Sequence, residues 1–255
     1  MRLQCKQKFD VLGKTIGAAM PLICLPLLAK KKINLLRQAE ELLPLEPDLI
    51  EWRIDSLENV DDIDFSLQTL SDLRTKIPSV PLILTCRIYS EGGMQKISQE
   101  KRLELIQGAI RTGIPDIVDI ELCNDSHFVS TTLEAAEQHG KKVILSFHDF
   151  KKTPEEAVIV GQMVRAQEMG AHIAKAAVMP KSHHDILILL NATLKARTEA
   201  LQIPIITMSM GKLGAATRIV SGIFGSDITF AIGKDASSPG QIPIEKLRKA
   251  MAMIY

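Results

Sequence analysis

The sequence is poor in cysteine, nearly balanced in charge and without a long uninterrupted apolar run, and each shortage removes a class of protein. Its four cysteines, Cys5, Cys24, Cys86 and Cys123, show no C-x-x-C spacing. Disulfide frameworks belong to short secreted chains; three of these thiols sit inside apolar, strand-like runs, which suits buried free cysteines in a reducing cytoplasm. Net charge is +1, from 31 basic and 30 acidic residues. That leaves no whole-chain field for nucleic acid or a membrane surface, so any charge recognition has to be local. No stretch of about 18 apolar residues exists to span a bilayer. Metal-ligand spacing is also missing: His183, His184 and Asp185 are adjacent rather than four apart on a helix, and read as a solvated helix start.

Two further segments exclude more than they suggest. Residues 16–29 are apolar behind a basic stretch, as in a signal peptide, but Pro21 and Pro26 interrupt them. Lys30, Lys31 and Lys32 follow without a small-residue cleavage site, so the run reads as a first buried strand. The triplet Gly13-Lys14-Thr15 is not a P-loop, because Lys8 stands where the leading glycine belongs. No G-x-G-x-x-G follows the first strand, which weakens an open, dinucleotide-binding sheet.

What is present is a repeated alternation. Short apolar runs at 22–28, 49–54, 82–86, 117–122, 143–147, 173–178, 205–208 and 228–232 are each followed by a polar-faced stretch. Among these are 32–43, 100–111, 155–169, 185–200 and, after the last run, 244–254. Gly113, Gly140 and Gly170 stand where helices close, and Pro154 where one opens. Eight β–α pairs in 255 residues, without a composition break, predict one (β/α)₈ barrel over residues 1–255, with 1–20 as a short N-terminal cap. At this length about three quarters of the unfolded surface is buried, so the core needs neither disulfide nor metal.

Strand parity then points at a site. Alternate residues of a barrel strand face the lumen, and chemistry collects at the carboxyl-terminal ends. Glu51 and Arg53 share one face of their run while Trp52 and Ile54 share the other. Thr85 with Arg87, Asp119 with Glu121, and Ser146 with His148 repeat the pattern; Lys175 and Met208 complete it. For any one of these residues a structural ion pair is an ordinary alternative. For the set, gathered at strand ends, a ligand site is the better account. Lys175 lies in Ala174-Lys175-Ala176-Ala177, too apolar a setting for a solvated lysine. Desolvation and neighbouring cations are expected there to favour the neutral amine that carbonyl attack needs. The alternative is a lysine snorkelling to the rim or paired with Glu121. His148 ends its strand as a possible acid–base that titrates near neutrality.

Five ordered motifs now carry a resemblance. Glu51-Trp52-Arg53-Ile54-Asp55, Glu91-Gly92-Gly93, Ser146-Phe147-His148-Asp149-Phe150, Ile205-Ile206-Thr207-Met208-Ser209-Met210 and Ser237-Ser238-Pro239-Gly240-Gln241 resemble the signatures of type I 3-dehydroquinate dehydratases. Phe224-Gly225-Ser226 fits as well, and the match runs in order from about Pro21 onward. The resemblance implies a (β/α)₈ lyase of the shikimate pathway that converts 3-dehydroquinate to 3-dehydroshikimate without metal or cofactor. It implies Lys175 as the Schiff-base lysine, His148 as general acid–base and Glu91 as the carboxylate orienting it. It implies Glu51, Arg53 and Arg87 at substrate-binding and electrostatic positions, and Arg218 on the substrate carboxylate. Ser237 and Gln241 would hold hydroxyls from a closing loop at 233–243 that is rich in Gly, Ser and Pro.

A cytoplasmic homodimer is the family expectation, with neither nucleic acid nor membrane as partner. The chain ends soon after the eighth helix pattern, so no fused second enzyme is expected. Two residues depart from the family pattern: Ala174 replaces a proline before the lysine, and Phe147 replaces an asparagine found in some members. Two rivals remain at this point. A class I aldolase or transaldolase would share Lys175 but cleave a phosphosugar, and a sensor barrel would bind a hydroxy acid without turning it over.

Overall fold

The computed structural model describes residues 2–233 and 240–255. Its ten strands are β1 (Phe9–Val11), β2 (Lys14–Ile16), β3 (Leu22–Leu27), β4 (Leu49–Arg53), β5 (Leu82–Thr85), β6 (Ile117–Glu121), β7 (Lys142–Asp149), β8 (Ile173–Val178), β9 (Ile205–Ser209) and β10 (Ile228–Phe230). The last eight form one parallel sheet in the order β10-β3-β4-β5-β6-β7-β8-β9. Each of the eight apolar runs of the sequence supplies one of them. Between the two ends of this order, the backbone N–H of Asp227 donates to Ile205 O (2.7 Å) and that of Thr207 to Ser226 Oγ (3.0 Å), bringing the barrel to near closure.

The helices are α1 (Lys32–Leu42), α2 (Ile63–Lys76), α3 (Gln99–Arg111), α4 (Ser126–Gln138), α5 (Glu156–Glu168), α6 (His183–Lys195), α7 (Thr217–Val220) and α8 (Ile244–Ala252). Their starts follow local chemistry. The side chains of Asp62, Ser98, Asp125 and Ser182 each accept a backbone N–H of the first turn, and Ser182 with Asp185 forms a reciprocal capping box. His183 and His184 therefore lie in an exposed first turn, as the sequence suggested.

Pleating sorts the core into two layers. Ile50, Trp52, Leu82, Leu84, Val118, Ile120, Val143, Leu145, Ala174 and Ala176 point outward and pack with helix residues such as Leu70, Leu105 and Leu189. Phe147 packs against this outer layer, so its departure from the family pattern faces away from the lumen. Inward, Leu49, Ile83, Ile117, Ile144, Ile173 and Ile206 fill the amino-terminal half of the barrel. The β1–β2 hairpin plugs that end: Val11 and Ile16 join the inner cluster, and its turn uses Leu12 (φ 45°) and Gly13 (φ 77°). Arg2 pairs with buried Asp227 beside the seam, where Arg197 also reaches Asp227 (2.5 Å). With one end filled by apolar side chains, polar groups are left to the other mouth.

Candidate active site

Lys175 occupies the middle of β8, in register with Ser146 on one side and Ile206 on the other. Its side chain is 5% exposed, and Nζ lies 2.7 Å from Asp119 Oδ2 and 3.5 Å from Glu51 Oε1. The Phe230 ring stands 4.9 Å from the amine. This corrects the sequence expectation of a lysine flanked by cations: its nearest charges are carboxylates, and neither is Glu121. Parity tells which residues share the lumen but not which of them touch.

Those carboxylates are themselves tied down. Asp119 Oδ1 takes the Ser146 hydroxyl (2.6 Å) and Arg87 Nη2 (2.9 Å), while Glu51 Oε1 accepts from Thr85 Oγ1 (2.9 Å). Arg87 Nη1 donates to Glu121 Oε1 and to Ser146 Oγ, both at 2.7 Å. Burial alone would push the Asp119 carboxyl up, but Arg87 and Lys175 outweigh it and hold the group well below the usual carboxylate range. Thr85, Asp119, Glu121 and Ser146 therefore form a floor of buried polar bonds rather than lining the mouth. Glu51, Arg53, Arg87, His148 and Lys175 do line it.

His148 is set by a turn from the neighbouring loop. Tyr89–Glu91 forms a single 3₁₀ turn closed by Gly92 at φ 87°, where an added Cβ would come within 2.4 Å of the Phe150 ring. Glu91 Oε2 accepts from the backbone N–H of His148 (3.0 Å) and lies 3.0 Å from its Nδ1. Burial, then Arg87 and Lys175, depress the imidazole well below its ordinary 6.5, so the contact is a hydrogen bond to a neutral ring rather than an ion pair. Nδ1 then carries the proton toward Glu91, which leaves Nε2 as the basic atom. Burial also raises the Glu91 carboxyl. Arg53 braces this turn: its guanidinium grips Asp55 (2.9 and 2.8 Å) and donates to Gly92 O (3.0 Å). Asp55, fully buried, also accepts the backbone N–H groups of Arg87 and Met94, a bracing role the sequence reading did not assign to it.

Across the mouth, Arg218 on α7 donates from Nε to Gly240 O (3.2 Å) and from Nη1 to Phe230 O (3.1 Å). Among the described residues it makes no ion pair, and burial lowers its pKa. A half-buried guanidinium of that kind has the donor geometry to take an anion. Gln241 lines the same cavity. Ser237 lies outside the described residues. The base of its loop is tightly built, since Gly240 has φ 84° and an added Cβ would stand 2.0 Å from Gly211 O. Gly240→Ala should therefore displace the carbonyl that holds Arg218 and raise KM about tenfold or more while the barrel stays folded. Unchanged steady-state kinetics in a folded variant would refute that coupling.

The cavity measures about 510 Å³, and Phe150, Met208, Met210 and Phe230 give it apolar walls around its few charges. Among the described residues no group of three or more His, Cys, Asp or Glu side chains could hold a metal ion, and no helix is long and apolar enough to cross a membrane. A nearly closed parallel sheet of eight strands with its charged residues gathered at the carboxyl-terminal mouth defines a (β/α)₈-barrel enzyme. Comparison with known proteins narrows this. The type I 3-dehydroquinase family model matches residues 23–255. A 3-dehydroquinate dehydratase of Bacillus licheniformis is 40% identical over 250 residues, covering 98% of each chain. The solved type I 3-dehydroquinate dehydratase of Clostridium difficile, described with covalently modified comenic acid, superposes with TM-score 0.95 at 38% identity over 98% of both chains. The enzyme from Geobacillus kaustophilus gives TM-score 0.95 and 38% identity over 100% of this chain and 98% of its own. The chain belongs to the type I 3-dehydroquinase family, and its activity is that of a 3-dehydroquinate dehydratase, a hydro-lyase.

Proposed function

We propose that this chain converts 3-dehydroquinate to 3-dehydroshikimate through an imine on Lys175, with His148 as the proton carrier. The observation that supports it most is the placement of a 5%-exposed lysine at the bottom of the cavity that His148 and Arg218 also face. Nζ, once neutral, adds to the C3 ketone, and loss of one water leaves an iminium. The iminium carries the same charge as the ammonium it replaces, so Asp119, held ionised by Arg87, remains its counter-ion without reorganisation. His148 Nε2 removes a proton from C2, and the C–H electrons flow into the iminium to give an enamine. Collapse of the enamine expels the C1 hydroxyl, which leaves as water with the proton from His148. Water then hydrolyses the product imine and frees Lys175, so the net change is loss of one water.

In this reading Glu91 orients His148, Arg218 grips the substrate carboxylate, and Gln241 with Ser237 takes hydroxyls. Glu51, Arg53 and Arg87 supply the first half of the pocket wall and its field. No metal or cofactor enters any step. The chain acts as one barrel domain, in the cytoplasm, as a homodimer. Incubation with 3-dehydroquinate followed by borohydride and peptide mass mapping tests the central step. The expected result is one added mass on Lys175, with the conjugated product's absorbance growing in unreduced samples. Product without any adduct would overturn the imine.

A further inference from the structure

One buried cation lies a layer outside the cavity and has no part in the steps above. Arg102 is in the first turn of α3, on the helix stripe that also buries Leu105, Ile106 and Ala109. Its side chain is 1% exposed, and the guanidinium sits 5.1 Å from the Phe128 ring. Nε donates to Cys86 O (3.1 Å), Nη1 to Asn124 Oδ1 (2.9 Å) and Nη2 to Glu121 Oε2. Cys86 directly follows β5, Glu121 ends β6 and Asn124 lies three residues beyond it, so one planar fork ties the exits of two strands together.

Glu121 passes this restraint inward along two branches. Its Oε1 accepts from Arg87 Nη1 (2.7 Å), and Arg87 Nη2 holds Asp119, which holds Lys175. The same Oε1 accepts from the backbone N–H of Ile88 (3.1 Å), the residue that caps the turn bearing Glu91. We propose that Arg102 is a positioning residue for the reaction, setting Lys175's counter-ion through Arg87 and the His148–Glu91 pair through Ile88. This rests on the roles given to Lys175 and His148 above. Charge makes the case as well as geometry. Glu51, Asp119 and Glu121 face Lys175, Arg87 and Arg102, a balanced set. Without Arg102, Glu121 is left, among the described residues, with Arg87 as its cationic partner and competes with Asp119 for it. A helix stripe needs no arginine for packing alone, since a whole buried ion pair can often be replaced by apolar residues of similar volume without loss of stability.

The test uses Arg102→Met, Arg102→Lys and Asn124→Ala in the full chain, with thermal melts, kcat and KM for 3-dehydroquinate, and single-turnover borohydride trapping. Arg102→Met should fold, lose about 10- to 100-fold in kcat with KM within about threefold, and form the trapped adduct more slowly. Arg102→Lys restores the charge but not the fork, and should recover part of that kcat. Asn124→Ala frees one arm of the fork and removes the Asn124 Nδ2 bonds to Glu121 O (2.8 Å) and Oε2 (3.2 Å), with all charges kept. It should lose about threefold in kcat with little change in melting temperature, and it decides the matter if neither Arg102 variant folds. Folded variants with kcat within about twofold of the parent would overturn the proposal, as would a rise in KM alone. A parent protein that forms no adduct would remove Lys175's role and this inference with it, whereas parent-like variants beside a trapped parent adduct would sink only Arg102.

Discussion

Lys175→Met should lower kcat/KM on the order of 10⁴-fold or more and leave nothing for borohydride to trap, because the bond-forming amine is gone. Among the described residues no other lysine and no cysteine lines the cavity, so none of these can substitute. The same change should lower stability at neutral pH. Nζ is shared by Asp119 and Glu51, both buried, and removing one partner of a buried pair costs roughly 3–5 kcal/mol. The sign of its pH dependence follows from Asp119. A carboxyl held below its unfolded value contributes stability above that value and loses it as pH falls through the folded one. Without Lys175 the depression is smaller, so the gap between variant and parent should narrow toward acid. Lys175→Arg separates the two effects: it keeps a cation for Asp119 yet offers no nucleophile, and should melt closer to the parent while staying inactive. Turnover by Lys175→Met would end the covalent mechanism.

The barrel was legible because each strand is a short run whose alternate residues are apolar on both faces in its first half. Leu49 and Ile50, or Ile117 and Val118, bury in opposite directions, as in a parallel sheet covered on both faces, and eight such strands are the number that closes a barrel. The site was legible for the converse reason. Glu51, Arg53, Arg87 and His148 break the inward pattern at one end of the strands, where an apolar lumen would otherwise continue. Distance was not legible. Lys175 was expected among cations, but the register puts Asp119 between it and Arg87, and no alternation rule reports that reach.

Residues off the strands were harder. Arg218 stands on a four-residue helix after an irregular stretch, so periodicity offers no handle and only the ordered family motifs pointed to it. Arg102 did leave a signal that went unread: positions 102, 105, 106 and 109 make a buried helix stripe, and a guanidinium in that stripe demands acceptors from the sheet. Asp55 was quoted within a motif, yet its bonds to the backbone of Arg87 and Met94 join segments far apart in sequence. Such links depend on the closed barrel and cannot be seen along one strand.

His148→Ala should separate the two halves of the reaction. The substitution leaves Lys175, Asp119 and Glu51 bonded as they are, so the ketone can still form its imine. Proton removal at C2 and protonation of the departing hydroxyl lose their carrier, a loss of about 10²- to 10⁴-fold in kcat. Adduct should therefore accumulate on Lys175 at the mass of bound substrate, where the parent would show a mixture with dehydrated product. In the parent, the depressed imidazole stays in its basic form to lower pH than a free histidine, so the acid limb of kcat/KM that it governs should lie below 6.5. Glu91 accepts from Nδ1, which keeps Nε2 as the atom that takes the proton and returns it. If His148→Ala turns over normally, or if it forms no adduct at all, the division of labour between the lysine on β8 and the histidine on β7 is wrong.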